Sequence, residues 1–333
     1  MTGPSRFRKG SIGVVIPCYR VRDLVLGVIA RIGPEVTRIY CIDDACPEAS
    51  GDHIASSCTD PRVIVLRNPQ NRGVGGAVIT GYRRALEDGM EIVVKIDGDG
   101  QMAPELLPRL VRPLLEAEAD YAKGNRFYYL GDLKDMPVLR LLGNAALSFM
   151  TKLSSGYWTV FDPTNGYTAI HASALSLLPL DRISARYFFE SDVLFRLNVV
   201  RAVVIDVPMA SRYAEEVSNL RIRQVIPQFL AGNARNFGKR IFYNYFLRDF
   251  NVASVELVAG AILLIAGLIF GGVTWIGNAK AGVQTSAGTV MLAGLPIIIG
   301  FQMLLAFLNF DVQSVPRSPI QRGSDLPRDD ETA

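Results

Sequence analysis

Asp97 and Asp99 stand one glycine apart in "IDGDGQ", residues 96–101, directly after the apolar run "MEIVV" and a lysine. Two like charges at the end of a buried strand repel each other unless something offsets them. A surface turn accommodates such a pair with no further meaning. A hard divalent cation, which takes oxygen ligands and bridges phosphate oxygens, gives it a chemical purpose. On an extended segment, residues two apart project to the same side, so both carboxylates are expected to face one ion. Other chemistry-bearing residues also sit where apolar runs stop: Pro17 and Tyr19 after "SIGVVI", Asp43 and Asp44 in "CIDDAC".

The elements that must carry these residues follow from hydrophobic periodicity. "SIGVVIPCY", "TRIYCIDDAC", "RVIVLRN" and "EIVVKIDGDG" read as strands, "VRDLVLGVIARI" and "GVGGAVITGYRRALEDG" as helices. Strands alternating with helices predict a parallel α/β sheet, in which ligands bind outside the carboxyl ends of the strands. Pro17, Tyr19, Asp43, Asp44, Asp97 and Asp99 all fall at such ends. A dinucleotide-binding domain would carry its glycines after the first strand, but that turn is "IPCYRVRD"; the glycines of "NRGVGGAVITG" come after the third.

Composition narrows the field. A net charge of +3 over 333 residues does not point to nucleic acid as the main partner. Cys18, Cys41, Cys46 and Cys58 lack zinc-site spacing, and there are two histidines, His53 and His171, both read as structural. "MTGPSRFRKG" is no secretory signal, so the N-terminal domain is expected in the reducing cytosol.

The excess apolar content lies near the C-terminus. Val255–Gly277 and Ala287–Leu308 are each close to the ~20 residues that cross a bilayer core. The connector "NAKAGVQTS" makes them a helical hairpin, and basic residues concentrate at its outer flanks: Arg235, Lys239, Arg240 and Arg248 before it, Arg317 and Arg322 after. The positive-inside rule then predicts both termini and the large domain on the cytoplasmic side. Gly267 and Gly271 form a G-x-x-x-G face for another helix, with a homo-oligomer as one use. Glu256 and Gln302 fall at similar depth, Glu256 in the wet interface. "RIRQVIPQFLAGNARNFGKRIFYNYFLRDF" has the apolar spacing and basic–aromatic mixture of helices lying in the headgroup layer. The expected domains are a tail, 1–10; a catalytic domain, 11–218; interfacial helices, 219–252; the hairpin, 253–309; and a polar, disordered cytoplasmic tail, 310–333.

"VVIPCY", "CIDDAC", "NRGVGGAVITGYRRAL", "KIDGDGQMAPELL", "GNRF", "DPTNGY", "FFESDVLFRL" and "RYAEEVSNLRI" occur in an order that resembles inverting glycosyltransferases of family 2. Within that family the chain is similar to the polyprenyl-phosphate branch, which includes dolichol-phosphate mannose synthase and bacterial polyprenyl-phosphate glucosyltransferases. The resemblance covers roughly residues 10–250. It implies a GT-A-type nucleotide-sugar-binding domain with a mostly parallel sheet, then interfacial and transmembrane helices. It also implies Mg²⁺ or Mn²⁺ on Asp97, Asp99 and Gln101, neutralising the diphosphate of the donor. Pro17 and Tyr19 would flank the nucleotide base, Asp44 would accept from its ring N–H, and Asp43 is a weaker candidate. Arg20 stands where the family often has asparagine.

For the acceptor, Arg126 of "GNRF" and Arg140 with Asn144 of "PVLRLLGN" match positions that hold a lipid phosphate, with Lys123 assisting. Arginine suits phosphate because its planar fork binds two oxygens. Arg212 matches an arginine on a segment that closes on the donor diphosphate. Asp162 of "DPTNGY" would contact sugar hydroxyls or orient the acceptor loop, and Glu190 of "FFESD" would bind sugar or act as a weak base. The implied reaction is inverting transfer of a hexose, UDP-glucose first and GDP-mannose next, to polyprenyl or dolichyl phosphate. The competing readings are a membrane-anchored transferase acting on a glycolipid or polysaccharide, and a non-catalytic nucleotide-sugar-binding scaffold.

Overall fold

The computed structural model describes residues 7–128, 138–209 and 222–324. It divides into two compact units, Met1–Phe237 with Pro316–Ala333, and Gly238–Val315.

The first unit is built on a seven-stranded sheet. In chain order its elements are β1 (Arg8–Cys18), α1 (Arg22–Ala30), β2 (Arg38–Asp43), α2 (Ser50–Ser57), β3 (Val63–Arg67), α3 (Val74–Glu87), β4 (Met90–Lys95), α4 (Leu107–Leu115), β5 (Tyr121–Asn125), α5 (Val138–Ser155), β6 (Thr168–His171), α6 (Ala172–Leu175), α7 (Phe189–Val199), β7 (Val204–Pro208) and, as far as Phe237, α8 (Ile222–Phe242). The strands lie in the order β3-β2-β1-β4-β6-β5-β7. Neighbours run parallel except β6, which is antiparallel to both β4 and β5. The sheet is therefore mostly parallel, as the alternating pattern predicts. Because helices cover both faces, the central strands are unbroken apolar runs: Val14, Val15, Ile16, Ile92, Val93 and Val94 are all buried.

Register aligns the carboxyl ends. Cys18 of β1 stands level with Asp43 of β2, and Val15 with Lys95 of β4. The residues that follow, Tyr19, Asp44 and Asp97, thus emerge along one rim. β4 stops at Lys95, five residues before the end of the stretch read as a strand, and residues 98–100 form a turn in which Gly100 has φ +78°. The extended-strand reason for pairing Asp97 with Asp99 does not apply; the turn is what carries them. α2 was not anticipated.

The stretch expected to hold interfacial helices is one helix, α8, with Pro227 inside it, followed by six π-helical residues, Tyr243–Arg248. One face of α8 packs on the first unit: Phe229 meets Phe188 edge-on, Asn233 accepts from Ser154 Oγ at 2.5 Å, and Asn236 donates to Asp192 at 2.9 Å. Ile226 and Leu230 of the same helix are exposed.

The second unit contains α9 (Val252–Ala281) and α10 (Ala287–Gln313), longer than the apolar windows alone indicate. Asn251 and Ser254 form a capping box at the start of α9, and Gly282 closes its end. Only 22% and 11% of the most apolar windows are buried. A core helix of a soluble protein would be mostly covered, so both are candidate membrane spans. A Cβ on Gly267 would come 2.8 Å from Ile297 of α10, and one on Gly300 would come 2.7 Å from the carbonyl of Gly260. The small-residue face is spent inside the hairpin, which removes Gly267 as a pointer to a homo-oligomer. Arg240 and Asp311, both almost fully buried, pair at 2.6 and 3.0 Å, and Tyr245 donates to the same carboxylate at 2.7 Å.

Residues 316–324, expected to be disordered, are partly built into the first unit as α11 (Ile320–Ser324). The backbone N–H groups of Ile320 and Gln321 donate to the fully buried Asp120 at 3.0 and 3.3 Å.

Candidate active site

On the β1 and β2 side, Pro17 is half-buried and Tyr19 is 43% exposed, a ring presented at the rim. Arg20 has φ +59° and stacks its guanidinium 5.5 Å from the centre of the Tyr19 ring. Asp43 turns inward, accepting from the N–H groups of Cys46 and Gly51 at 2.8 and 2.7 Å; it shapes the entry to α2. Asp44 accepts from Asn68 Nδ2 at 2.7 Å, Arg72 N–H at 3.0 Å and Gly73 N–H at 2.8 Å. Those donors take up both carboxylate oxygens, so Asp44 organises the glycine loop before α3. The expected bond to a base N–H is not the role this geometry gives it.

At the end of β4, Asp97 and Asp99 are half-buried and Gln101 is exposed. Asp99 caps its own turn by accepting from the Gln101 N–H at 3.0 Å. Asp97 Oδ1 is buried and receives no aligned hydrogen bond among the described residues; its neighbour is the Lys95 ammonium at 2.9 Å. Oδ1 is thus already met by one cation, and Oδ2 is the oxygen left for a metal ion. No group of three histidine, cysteine or acidic side chains forms a self-sufficient cage among the described residues. Mg²⁺ is commonly held by one or two carboxylates together with substrate phosphates.

Lys95 is 1% exposed and also pairs with Glu190 Oε1, at 3.2 Å. Burial pulls the Lys95 ammonium pKa down, but the Asp97 and Glu190 charges outweigh it and leave it above the ordinary value. Burial, reinforced by Asp97, raises the Glu190 carboxyl against the pull of Lys95. Glu190 is thus the counter-ion of Lys95, placed in the first turn of α7. Sequence reading passed over Lys95. The available signal was a lysine closing an otherwise apolar central strand, where a buried charge requires a partner.

Arg126 follows β5 and meets Asp162 as a fork, Nε to Oδ2 and Nη2 to Oδ1, each 2.8 Å. Asp162 is 2% exposed and has φ +52°, a strained value for a residue with a side chain. Lys123 holds that backbone in place: its ammonium donates to the carbonyl of Asp162 at 2.8 Å and to that of Phe161, and lies 3.2 Å from Asp206. Lys123 is fully buried under the loop, which corrects its expected place at an acceptor phosphate. Asn165 donates to the Gly124 carbonyl at 2.9 Å, and a Cβ on Gly166 would overlap Lys95 Nζ and come 2.8 Å from Asp97 Oδ2. The loop Asp162–Gly166 therefore touches the Arg126 fork at one end and the Lys95–Asp97 pair at the other. Asn144 is half-exposed on α5. Arg140 lies in the first turn of that helix, where side chains are outside the described residues, as is Arg212 altogether.

The model of the family described as glycosyl transferase family 2 matches residues 13–178. Over 154 residues the chain is 36% identical to the UDP-N-acetylglucosamine–dolichyl-phosphate N-acetylglucosaminyltransferase of Methanococcus voltae, covering 46% of this chain and 61% of that enzyme. Over 200 residues it is 33% identical to the undecaprenyl-phosphate mannosyltransferase of Micrococcus luteus, covering 59% of this chain and 81% of that one. The crystal structure of glucosyl-3-phosphoglycerate synthase from Mycobacterium tuberculosis, in complex with Mn²⁺, UDP and glucosyl-3-phosphoglycerate, shares the fold. Its TM-score is 0.51 at 22% identity, over 68% of this chain and 80% of that one. With the carboxylate turn at the end of β4 and the forked arginine beside it, these relationships establish that the chain belongs to glycosyl transferase family 2, in its polyprenyl-phosphate glycosyltransferase branch.

Proposed function

We propose that this enzyme transfers a hexose from a nucleotide sugar to a polyprenyl phosphate by a metal-dependent, inverting single displacement, with UDP-glucose the first donor to test. The observation that carries this reading is the Asp162–Gly166 loop, which joins the carboxylate turn to Arg126. Donor diphosphate and acceptor phosphate are the two groups those ends would receive.

Asp97 and Asp99, with Gln101, would hold Mg²⁺ or Mn²⁺ against the donor diphosphate. Bound there, the ion neutralises charge that builds on the leaving nucleoside diphosphate. Tyr19 offers a face for the base. Arg126, held by Asp162 through Nε and Nη2, is the residue we place beside the acceptor phosphate, and a lipid phosphate at neutral pH needs no base to make it a nucleophile. Its oxygen attacks the anomeric carbon opposite the leaving group. The bond from that carbon to the diphosphate oxygen breaks, the electron pair leaves with the nucleoside diphosphate, and an α-linked donor gives a β-linked product. Glu190, paired with Lys95, is read as structural support for the donor side.

The acceptor explains the anchor. A polyprenyl chain gains ~0.8 kcal/mol for each methylene it keeps in the bilayer, so the enzyme must work where the phosphate emerges. Both ends of the hairpin connect to the catalytic unit, at Phe237 and Pro316. This supports placing that unit and both termini on one side, which the flanking basic residues make the cytoplasmic side.

The test is transfer by the purified full-length protein in detergent, with short polyprenyl phosphate and UDP-glucose, UDP-galactose, UDP-N-acetylglucosamine or GDP-mannose. Mass spectrometry identifies the product and proton NMR its anomeric configuration. A product retaining the donor configuration, or no glycosylated lipid from any donor, overturns the reading.

A further inference from the structure

We propose that Lys95 is a positioning residue for the metal-binding turn, its ammonium clamped between Glu190 and Asp97 so that Asp97 is preset to receive a metal-bound diphosphate. The inference rests on the donor-site reading above and deepens it.

Lys95 ends β4, pairing across the sheet with Val15 on one side and Thr168 on the other. Its backbone is therefore fixed by ladders from both neighbours, and its ammonium is buried. One anion would suffice to neutralise it, and Glu190 at 3.2 Å, 12% exposed, supplies that anion from the core side. The second partner is different in kind. Asp97 is 30% exposed and lies beyond the strand, at the start of the turn, with Oδ1 held 2.9 Å from the ammonium. A turn carboxylate in water would sample several rotamers. Tethered through one oxygen, it keeps the other available in a fixed direction, the way hydrogen-bond partners behind metal ligands fix those ligands.

Gly166 supplies an independent observation. Its missing side chain leaves the space in which the pair meets, since a Cβ there would strike Lys95 Nζ and crowd Asp97 Oδ2. The glycine of "DPTNGY" thus works as a spacer for this ion pair, and the Asp162–Gly166 loop shares in setting the direction of Asp97.

The test compares wild type with Lys95→Met, Lys95→Arg, Gly166→Ala and the double variant Lys95→Met/Glu190→Gln, all full-length in detergent. Mn²⁺ affinity is read from the EPR signal of the free ion with UDP or GDP present. Melting temperature and the kcat-against-KM split are measured alongside. Lys95→Met is expected to weaken Mn²⁺ binding about tenfold or more, to lower kcat, and to leave the KM for polyprenyl phosphate within about twofold of wild type, because uniform acceptor binding is untouched. Lys95→Arg restores part of the affinity, and Gly166→Ala weakens it with all charges in place.

The double variant separates the two roles. If Lys95 only neutralises Glu190 in the core, removing both charges recovers melting temperature and Mn²⁺ affinity together, and the proposal falls. If Lys95 orients Asp97, melting temperature recovers and affinity does not. Should Lys95→Met fail to fold, Gly166→Ala and the double variant decide the matter in the same way. Wild-type protein that binds no Mn²⁺ with either nucleotide sinks the donor-site reading itself. Wild type that binds, with Lys95→Met or the double variant binding equally, sinks only the role of Lys95.

Discussion

Asp162 grips Arg126 through both carboxylate oxygens, at 2.8 Å each, from a backbone held at φ +52°. The strain is sustained because Lys123 binds the Asp162 carbonyl from below, so the fork is fixed by the core rather than by solvent. Asp162→Asn keeps the shape and loses the charge that aligns Arg126. Turnover is expected to fall about a hundredfold, the scale of a positioning error near 1 Å, while nucleotide affinity measured by calorimetry stays close to wild type. An equal loss on the nucleotide side would move Asp162 out of the acceptor half.

The same pair gives a pH signature. Burial alone would push the Asp162 carboxyl pKa up, but the Arg126 fork, aided by Lys123, outweighs it and holds the pKa below its ordinary value. A depressed folded-state pKa contributes stability that is complete above the unfolded value of about 3.9 and is lost as pH falls through the folded one. The melting-temperature gap between wild type and Asp162→Asn should be widest near neutral pH and close as pH falls through the depressed folded-state value. A gap that grows on acidification contradicts the assignment.

Metal removal tests the other half of the site. Dialysis against EDTA should abolish transfer, and Mn²⁺ or Mg²⁺ should restore it, because two carboxylates and a diphosphate cannot share a rim without a cation. Asp99→Ala should lower turnover about a hundredfold or more, the scale seen when one electrostatic contact to a developing charge is deleted. Unchanged turnover in that variant would refute its role.

The sheet was legible because β1, β2 and β4 are apolar runs that both-face burial demands, and the acids at the ends of β2 and β4 show against that background. The hairpin was legible from length alone. What stayed hidden depends on residues that meet from far apart. Lys123 reads as a phosphate ligand until β7 pairs with β5 and sets Asp206 opposite it. Asp44 reads as a ligand for the base until the 68–73 loop closes over it. The eight residues of α2 carry little apolar periodicity, and Asp43 secures its first turn through Gly51. Gly267 predicted a close helix contact correctly, but only the structure identifies α10 as the partner.

In the second unit, Arg240 and Asp311 form an ion pair with 1% and 2% of their side chains exposed. Removing one partner of a buried pair leaves the other uncompensated, at a cost of about 3–5 kcal/mol. Asp311→Ala should therefore lower the detergent melting temperature sharply. Replacing both residues by apolar ones of similar volume should recover much of the loss. If the single variant melts like wild type, the pair does not hold the α8 end to α10.

The segment after the hairpin offers a last test, one that sequence alone would not propose. Asp120 is fully buried and accepts from three backbone N–H groups, those of Val203, Ile320 and Gln321. Gln321 and Arg322 add side-chain bonds to the carbonyls of Ala119 and Ala117 at 2.7 and 2.8 Å. Truncation after Val315 deletes two of the three donors and opens a buried carboxylate to partial solvation. The expected loss is about 1–3 kcal/mol, read as a lower melting temperature of the full enzyme in detergent, with the KM for the nucleotide sugar unchanged. Asp120→Asn should lose stability in the full-length chain and much less in the truncated one, since the two changes delete the same bonds and cannot add. Additive losses would mean that residues 316–324 stabilise the catalytic unit through something other than Asp120.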